Sequence, residues 1–134
     1  MFDAELARVY ALALIAIARA DGEIRADEGS RLEERITART KLSLSLADLL
    51  LTEPIQPRHL ADAIAQSPFR GSGVQSQRVA DWLIADGLAV ILEKGHATGS
   101  EARALVAFAK ALGYSADEVR KASGKLARWI PEDA

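Results

Sequence analysis

An all-α fold, a bundle of six or seven helices, is what this chain of 134 residues predicts, on three observations. Hydrophobic residues make up 49% of it but aromatic ones only 5%, so alanine, leucine and isoleucine carry the core. That balance favours helices, because strands prefer β-branched and aromatic residues. Apolar residues recur at helical spacing, and helix-start signals stand between the apolar segments, with no credible strand anywhere.

The first helix is expected from about Asp3 to Ala20. Leu6, Val9, Tyr10, Ala13, Leu14 and Ile17 mark one face, and Leu12 and Ile15 extend the apolar surface nearly all round. A helix apolar on every side belongs at the centre of a bundle. Asp21-Gly22 ends it. The second helix, Ala26 to Thr40, turns Leu32 and Ile36 inward and leaves Arg31, Glu33, Glu34 and Arg35 mostly solvated. Ser45-Leu46-Ala47-Asp48 starts a short helix to Leu51. Pro57 is placed to open another through Gln66, since proline lacks the N–H that a first helical turn leaves unused. Ser67 to Gly73 is the flexible stretch near the middle of the chain.

A long apolar helix follows over Val79 to Glu93, with Trp82, Leu83, Leu88, Val90 and Ile91 as core contacts. Thr98-Gly99-Ser100-Glu101 is a capping box opening a helix that carries Leu105, Phe108, Ala109 and Leu112 and stops at Gly113. Ser115-Ala116-Asp117-Glu118 is a second capping box. It starts a last helix with Val119, Ala122, Leu126, Trp129 and Ile130 on one face, closed by Pro131.

The length fits one domain, large enough to fold without a disulfide or a metal. No cysteine is present, which removes thiolate metal sites and a cysteine nucleophile and suits a reducing compartment. The formal net charge of −2 gives no general attraction to nucleic acid or anionic membrane. Tyr10 to Ala18 is too short to span a bilayer, and Asp3 and Glu5 precede it where a signal peptide carries positive charge. The expected address is the cytoplasm, with peripheral membrane association left open.

The two halves of the chain resemble each other. Asp21 to Glu28 aligns with Lys94 to Glu101 at an offset of 73 (94 minus 21): each time an apolar helix meets a glycine, a short turn and a glutamate in the next helix. Leu42-Ser43-Leu44-Ser45 then matches Leu112-Gly113-Tyr114-Ser115. The expectation is a pseudo-duplicated pair of helical hairpins, over about 3–66 and 75–131. Asp86-Gly87 imitates the corner but is followed by Leu88 to Leu92, all apolar. It reads as mid-helix, with Gly87 permitting close helix packing.

Asp21-Gly22-x-Ile24-x-x-x-Glu28 matches the second half of an EF-hand calcium loop, but the first half is missing, because Ile17 and Arg19 stand where ligands would be. An acidic corner remains. Asp21, Glu23, Asp27 and Glu28 offer the carboxylate oxygens that Ca²⁺ or Mg²⁺ prefers. The same acids also have a structural explanation, at the positive end of a helix and in a turn, where capping contributes about 1 kcal/mol.

Ala18 to Glu28, on an alanine-rich helix, resembles the signature of the TerB-like (tellurite resistance) domain family. Leu112 to Glu118 resembles the way such domains enter a later helix. The resemblance implies an all-helical, pseudo-duplicated fold, a link to tellurite and other chemical stress, and membership of cytoplasmic or membrane-associated complexes. It also implies a divalent-metal site carried by Asp21 and Glu28, with Glu23 and Asp27 weaker. The second corner departs from the pattern, with Lys94 where an acid is wanted.

His59 and His96 are too far apart in sequence to suggest a transition-metal site. Arg120, Lys121, Lys125 and Arg128 give the last helix a basic side, read either as a solvated face or as a dock for an acidic partner. No nucleophile elbow or phosphate-binding glycine loop occurs. The expected function is therefore a non-enzymatic interaction and stress-response module with a protein partner, and a homodimer is one arrangement open to it. The alternative is a scaffolding domain that works without metal.

Overall fold

The computed structural model describes residues 4–20, 24, 26–52, 55–66, 73–93 and 99–123. These form seven helices and no strand: α1 (Ala4–Ala18), α2 (Ala26–Thr40), α3 (Leu46–Leu50), α4 (Pro57–Gln66), α5 (Gly73–Glu93), α6 (Gly99–Ala111) and α7 (Ala116–Ser123). The all-α expectation holds. No helix among the described residues is long and apolar enough to cross a membrane.

Helix α1 is the hub. Eleven of its 15 residues are buried, among them Tyr10, Leu14 and Ile17 with no measurable exposure. It packs against α4, α5 and α6 and more lightly against α2 and α3, and so is walled in on nearly every side, as its apolar surface requires. Fully burying one such leucine contributes about 1.5–3 kcal/mol. Ile84, Val106, Ala109 and Val119 form a smaller cluster where α7 closes over α5 and α6.

Gly87 sits in the middle of α5 and faces α6. A Cβ there would lie 2.7 Å from Leu105 Cδ1 and 3.5 Å from Ile17 Cδ1, so the absence of a side chain is what lets α5 lie so close to its neighbours. Helix α5 begins earlier than the sequence suggested. Gly73, expected to end a flexible stretch, is its first residue. Trp82 and Leu88, expected in the core, are only half-buried, and Val79, Ala80 and Ile84 take the inward positions instead.

The helix ends follow local chemistry. Ser115 Oγ accepts from the Glu118 backbone N–H at 3.1 Å, and Glu118 Oε1 accepts from Ser115 N–H at 3.2 Å, which is the reciprocal capping box. Helix α6 ends at Gly113, with φ of 101°; Tyr114 N–H donates to Ala109 O and Gly113 N–H to Lys110 O, the paired bonds of a Schellman stop. Helix α2 stops differently, on Lys41 at φ of 64°, whose N–H donates to Thr37 O in a single-bond αL stop, a conformation that costs a non-glycine residue free energy. Ser45 caps α3, and Glu33 Oε2 accepts from Leu46 N–H at 3.1 Å, fastening α3 to α2.

Helix starts recur at the offset seen in the sequence, α2 at Ala26 and α6 at Gly99 (99 minus 26 is 73). Serines 45 and 115 then precede α3 and α7. Thr98 of the first capping box, and Leu126, Trp129 and Ile130 of the expected last helix, lie outside the described residues.

Candidate functional site

In sequence, the acidic run from Asp21 to Glu28 falls between the end of α1 and the first turn of α2. Helix α1 stops at Ala18, Arg19 and Ala20 form a turn closed by Arg19 N–H to Ile15 O and Ala20 N–H to Ile17 O, and α2 begins at Ala26. No continuous helix runs through. Asp21 and Glu23 lie outside the described residues. Asp27 and Glu28 are the second and third residues of α2, and Glu28 is half-buried. Among the residues whose side chains are described, no group of three histidines or carboxylates converges to hold a metal ion.

The polar centre that the structure does assemble was not anticipated from the sequence. Asp86, in α5, is 3% exposed and faces both α1 and α2. Its Oδ2 accepts the Tyr10 hydroxyl at 2.5 Å and Arg39 Nε at 2.9 Å, and its Oδ1 accepts Arg39 Nη2 at 3.1 Å. Arg35 Nη1 lies 3.8 Å from Oδ1, within ion-pair range but beyond hydrogen-bond distance. The side-on fork of Arg39 neutralises the carboxylate with two parallel donors, the geometry in which a buried acid is best compensated for lost hydration. Behind that fork, the Arg39 guanidinium stands 5.3 Å from the Trp82 ring centroid, in cation–π range.

This arrangement sets the protonation of its members. Burial, reinforced by the negative charge of Asp86, holds the Tyr10 hydroxyl well above the usual tyrosine range, with Arg39 opposing. Tyr10 therefore stays a neutral donor. Hydrogen bonding to Asp86 raises Arg39 above its ordinary value against the opposing effect of desolvation. One carboxylate thus ties α1, α2 and α5 together across 76 and 47 residues of sequence.

A cleft of about 430 Å³ opens over this centre between α2 and α5, lined by Arg31, Glu34, Arg35, Ala38, Arg39 and Asp86. The three arginines recur every fourth residue along α2 and so descend one face of the helix. Two signals in the sequence could have found it. Asp86 is a charge flanked by apolar residues on both sides, Trp82 to Ala85 before it and Leu88 to Leu92 after Gly87, which calls for a buried partner, and Arg31, Arg35 and Arg39 form a row that can supply one.

The remaining candidates have structural roles or lie beyond view. His59 is exposed and its Nδ1 accepts the Gln56 N–H at 2.9 Å, so it closes the start of α4. Arg120 pairs with Asp117 at 3.1 Å, and Lys121 is exposed, while His96, Lys94, Lys125 and Arg128 lie outside the described residues. Tyr114 donates its hydroxyl to Asp81, joining the α6–α7 connection to α5. Compared with known proteins, the chain matches no family model, no curated protein and no solved structure, so function is to be read from its own residues.

Proposed function

We propose that this chain is a non-catalytic interaction module of the TerB-like type, serving a response to tellurite or other chemical stress in the cytoplasm. In this reading it holds a divalent cation at the corner from Asp21 to Glu28 and meets a protein partner. The observation that supports the proposal is the break between α1 and α2: α1 ends at Ala18, Arg19 and Ala20 form a turn, and α2 begins at Ala26, so Asp27 and Glu28 stand in the first turn of a separate helix. A continuous helix would scatter those carboxylates around its circumference, whereas a corner lets acids from the turn and from the first turn of α2 approach one ion.

A metal-free scaffolding domain is the second reading, favoured by the place of Glu28 as third residue of α2, where the positive helix end stabilises a carboxylate without an ion. Thermal unfolding separates the two. Calcium or magnesium at millimolar concentration should raise the Tm of the wild type, and Asp21→Ala with Glu28→Ala should abolish that increment. No metal-dependent rise in the wild type would leave the scaffolding reading.

A further inference from the structure

We propose that the start of α4 is a pH-sensitive latch: neutral His59 holds the segment from Ile55 to His59 in place, and protonated His59 releases it and turns to the carboxylate of Asp62. Helix α4 begins at Pro57, which has no backbone N–H, so Gln56 is the residue that caps it. Gln56 and His59 bond each other twice. His59 N–H donates to Gln56 O at 2.9 Å, and Gln56 N–H donates to His59 Nδ1 at 2.9 Å. This is a capping-box pairing with an imidazole where glutamate or glutamine ordinarily stands. A ring nitrogen accepts only while it carries no proton, so the second bond requires the neutral tautomer with hydrogen on Nε2. Histidine is the side chain whose charge changes between about pH 5 and 8.

Protonation reverses the interactions at the ring. Nδ1–H then faces the Gln56 N–H donor to donor, and a positive charge stands at the positive end of α4. A second place for the charged ring lies beside it. A cleft of about 370 Å³ between α1 and α4 is lined by His59 and Asp62 from α4 and by Glu5 and Arg8 from α1, over an apolar floor that includes Val9. Asp62 is three residues along the same helix face as His59, within reach of the ring. Glu5 and Arg8 pair with each other at 3.6 Å and so largely offset one another. Arg58, exposed in the same helical turn, opposes the charged ring, and α6, which also packs on α4, contributes no residue to the cleft. The ring therefore has two anchors of opposite preference, the Gln56 amide when neutral and the Asp62 carboxylate when charged, which is the two-state element that a proton can bias. Release is local. Leu60 and Ile64 are buried and keep the rest of α4 seated, whereas Ile55, only partly buried against the core, precedes the bond that is lost.

The latch is independent of the acidic corner and is tested separately from it. The full chain, labelled with nitrogen-15, is titrated from about pH 8 to about pH 5 and followed by nuclear magnetic resonance, with the amides of α2 and α5 reporting that the fold persists. A direct nitrogen–nitrogen coupling across the bond from Gln56 N–H to His59 Nδ1 is expected at the upper end and should vanish in step with the titration of the His59 ring. Protection of the Gln56 amide, corrected for the intrinsic pH dependence of exchange, should fall about fivefold over the same range, as loss of one neutral hydrogen bond implies. His59→Gln, whose side-chain oxygen accepts at every pH, should keep Gln56 protected throughout. Asp62→Asn should move the wild-type midpoint to lower pH, because the charged ring loses its anchor. A Gln56 amide that ignores the His59 titration, or that responds equally in His59→Gln, would overturn the latch. An unchanged midpoint in Asp62→Asn would overturn it as well.

Discussion

Replacing Asp86 by alanine tests whether one buried carboxylate organises the packing of three helices. The substitution leaves the Tyr10 hydroxyl, in a side chain with no measurable exposure, without this acceptor, and removes the partner of a guanidinium that is 29% exposed. Removing the carboxylate acceptor of a buried hydroxyl costs about 1–3 kcal/mol. Breaking a fully buried ion pair from one side costs about 3–5 kcal/mol, and the partial exposure of Arg39 reduces that share because water can reach it. The expected total is about 3–4 kcal/mol, a large part of the roughly 5–15 kcal/mol by which domains are stable, and a fall in Tm of about 10 °C. Urea unfolding followed by far-ultraviolet circular dichroism measures it. Tyr10→Phe alone should cost about 1–2 kcal/mol, and in the Asp86→Ala background almost nothing, because the hydroxyl then has no carboxylate to lose. The reasoning fails if Asp86→Ala costs under about 1 kcal/mol, or if Tyr10→Phe costs the same in both backgrounds.

Three further outcomes follow from the same packing. Tyr10 titrates higher in the folded state than in the unfolded one, so the folded chain binds more protons above the unfolded tyrosine value. Stability should therefore decline as pH rises from about 10, by at most about 1.4 kcal/mol per pH unit from this group. Urea midpoints between pH 8 and 11 should fall less steeply in Tyr10→Phe than in the wild type. Gly87→Ala gains about 1 kcal/mol of helix propensity but must push aside the buried Leu105, at a cost of about 1–3 kcal/mol, so it should be neutral to destabilising. Leu105→Ala in the same chain should reverse the sign of its effect. Lys41→Gly should stabilise by about 0.5–1 kcal/mol and Gly113→Ala should destabilise by about 1–2 kcal/mol, both read from thermal unfolding, because each position has positive φ.

Local information specified most of the secondary structure. The α2 boundaries, the proline that opens α4, the serine caps of α3 and α7 and the glycine that stops α6 all depend on groups a few residues apart. The burial of α1 was legible for a similar reason: a helix apolar on all sides has no stable place except the interior. Gly87 was legible as a packing glycine because the apolar residues after it could not form an exposed turn.

What the sequence alone could not decide was which polar residues meet. Asp86 was visible as a charge in an apolar helix, yet Tyr10 reads as core and Arg35 as solvated, and no local signal singles out Arg39. Their convergence depends on how α1, α2 and α5 cross, and that is set by the summed packing of side chains far apart in the chain. Trp82 shows the same limit: its helical phase placed it near the core, and the row of arginines on α2 decided that it would serve as a half-buried platform for a cation. Periodicity and caps act within a few residues and are written in order. A buried ion pair is a relation between helices, and only the folded chain brings its two ends together.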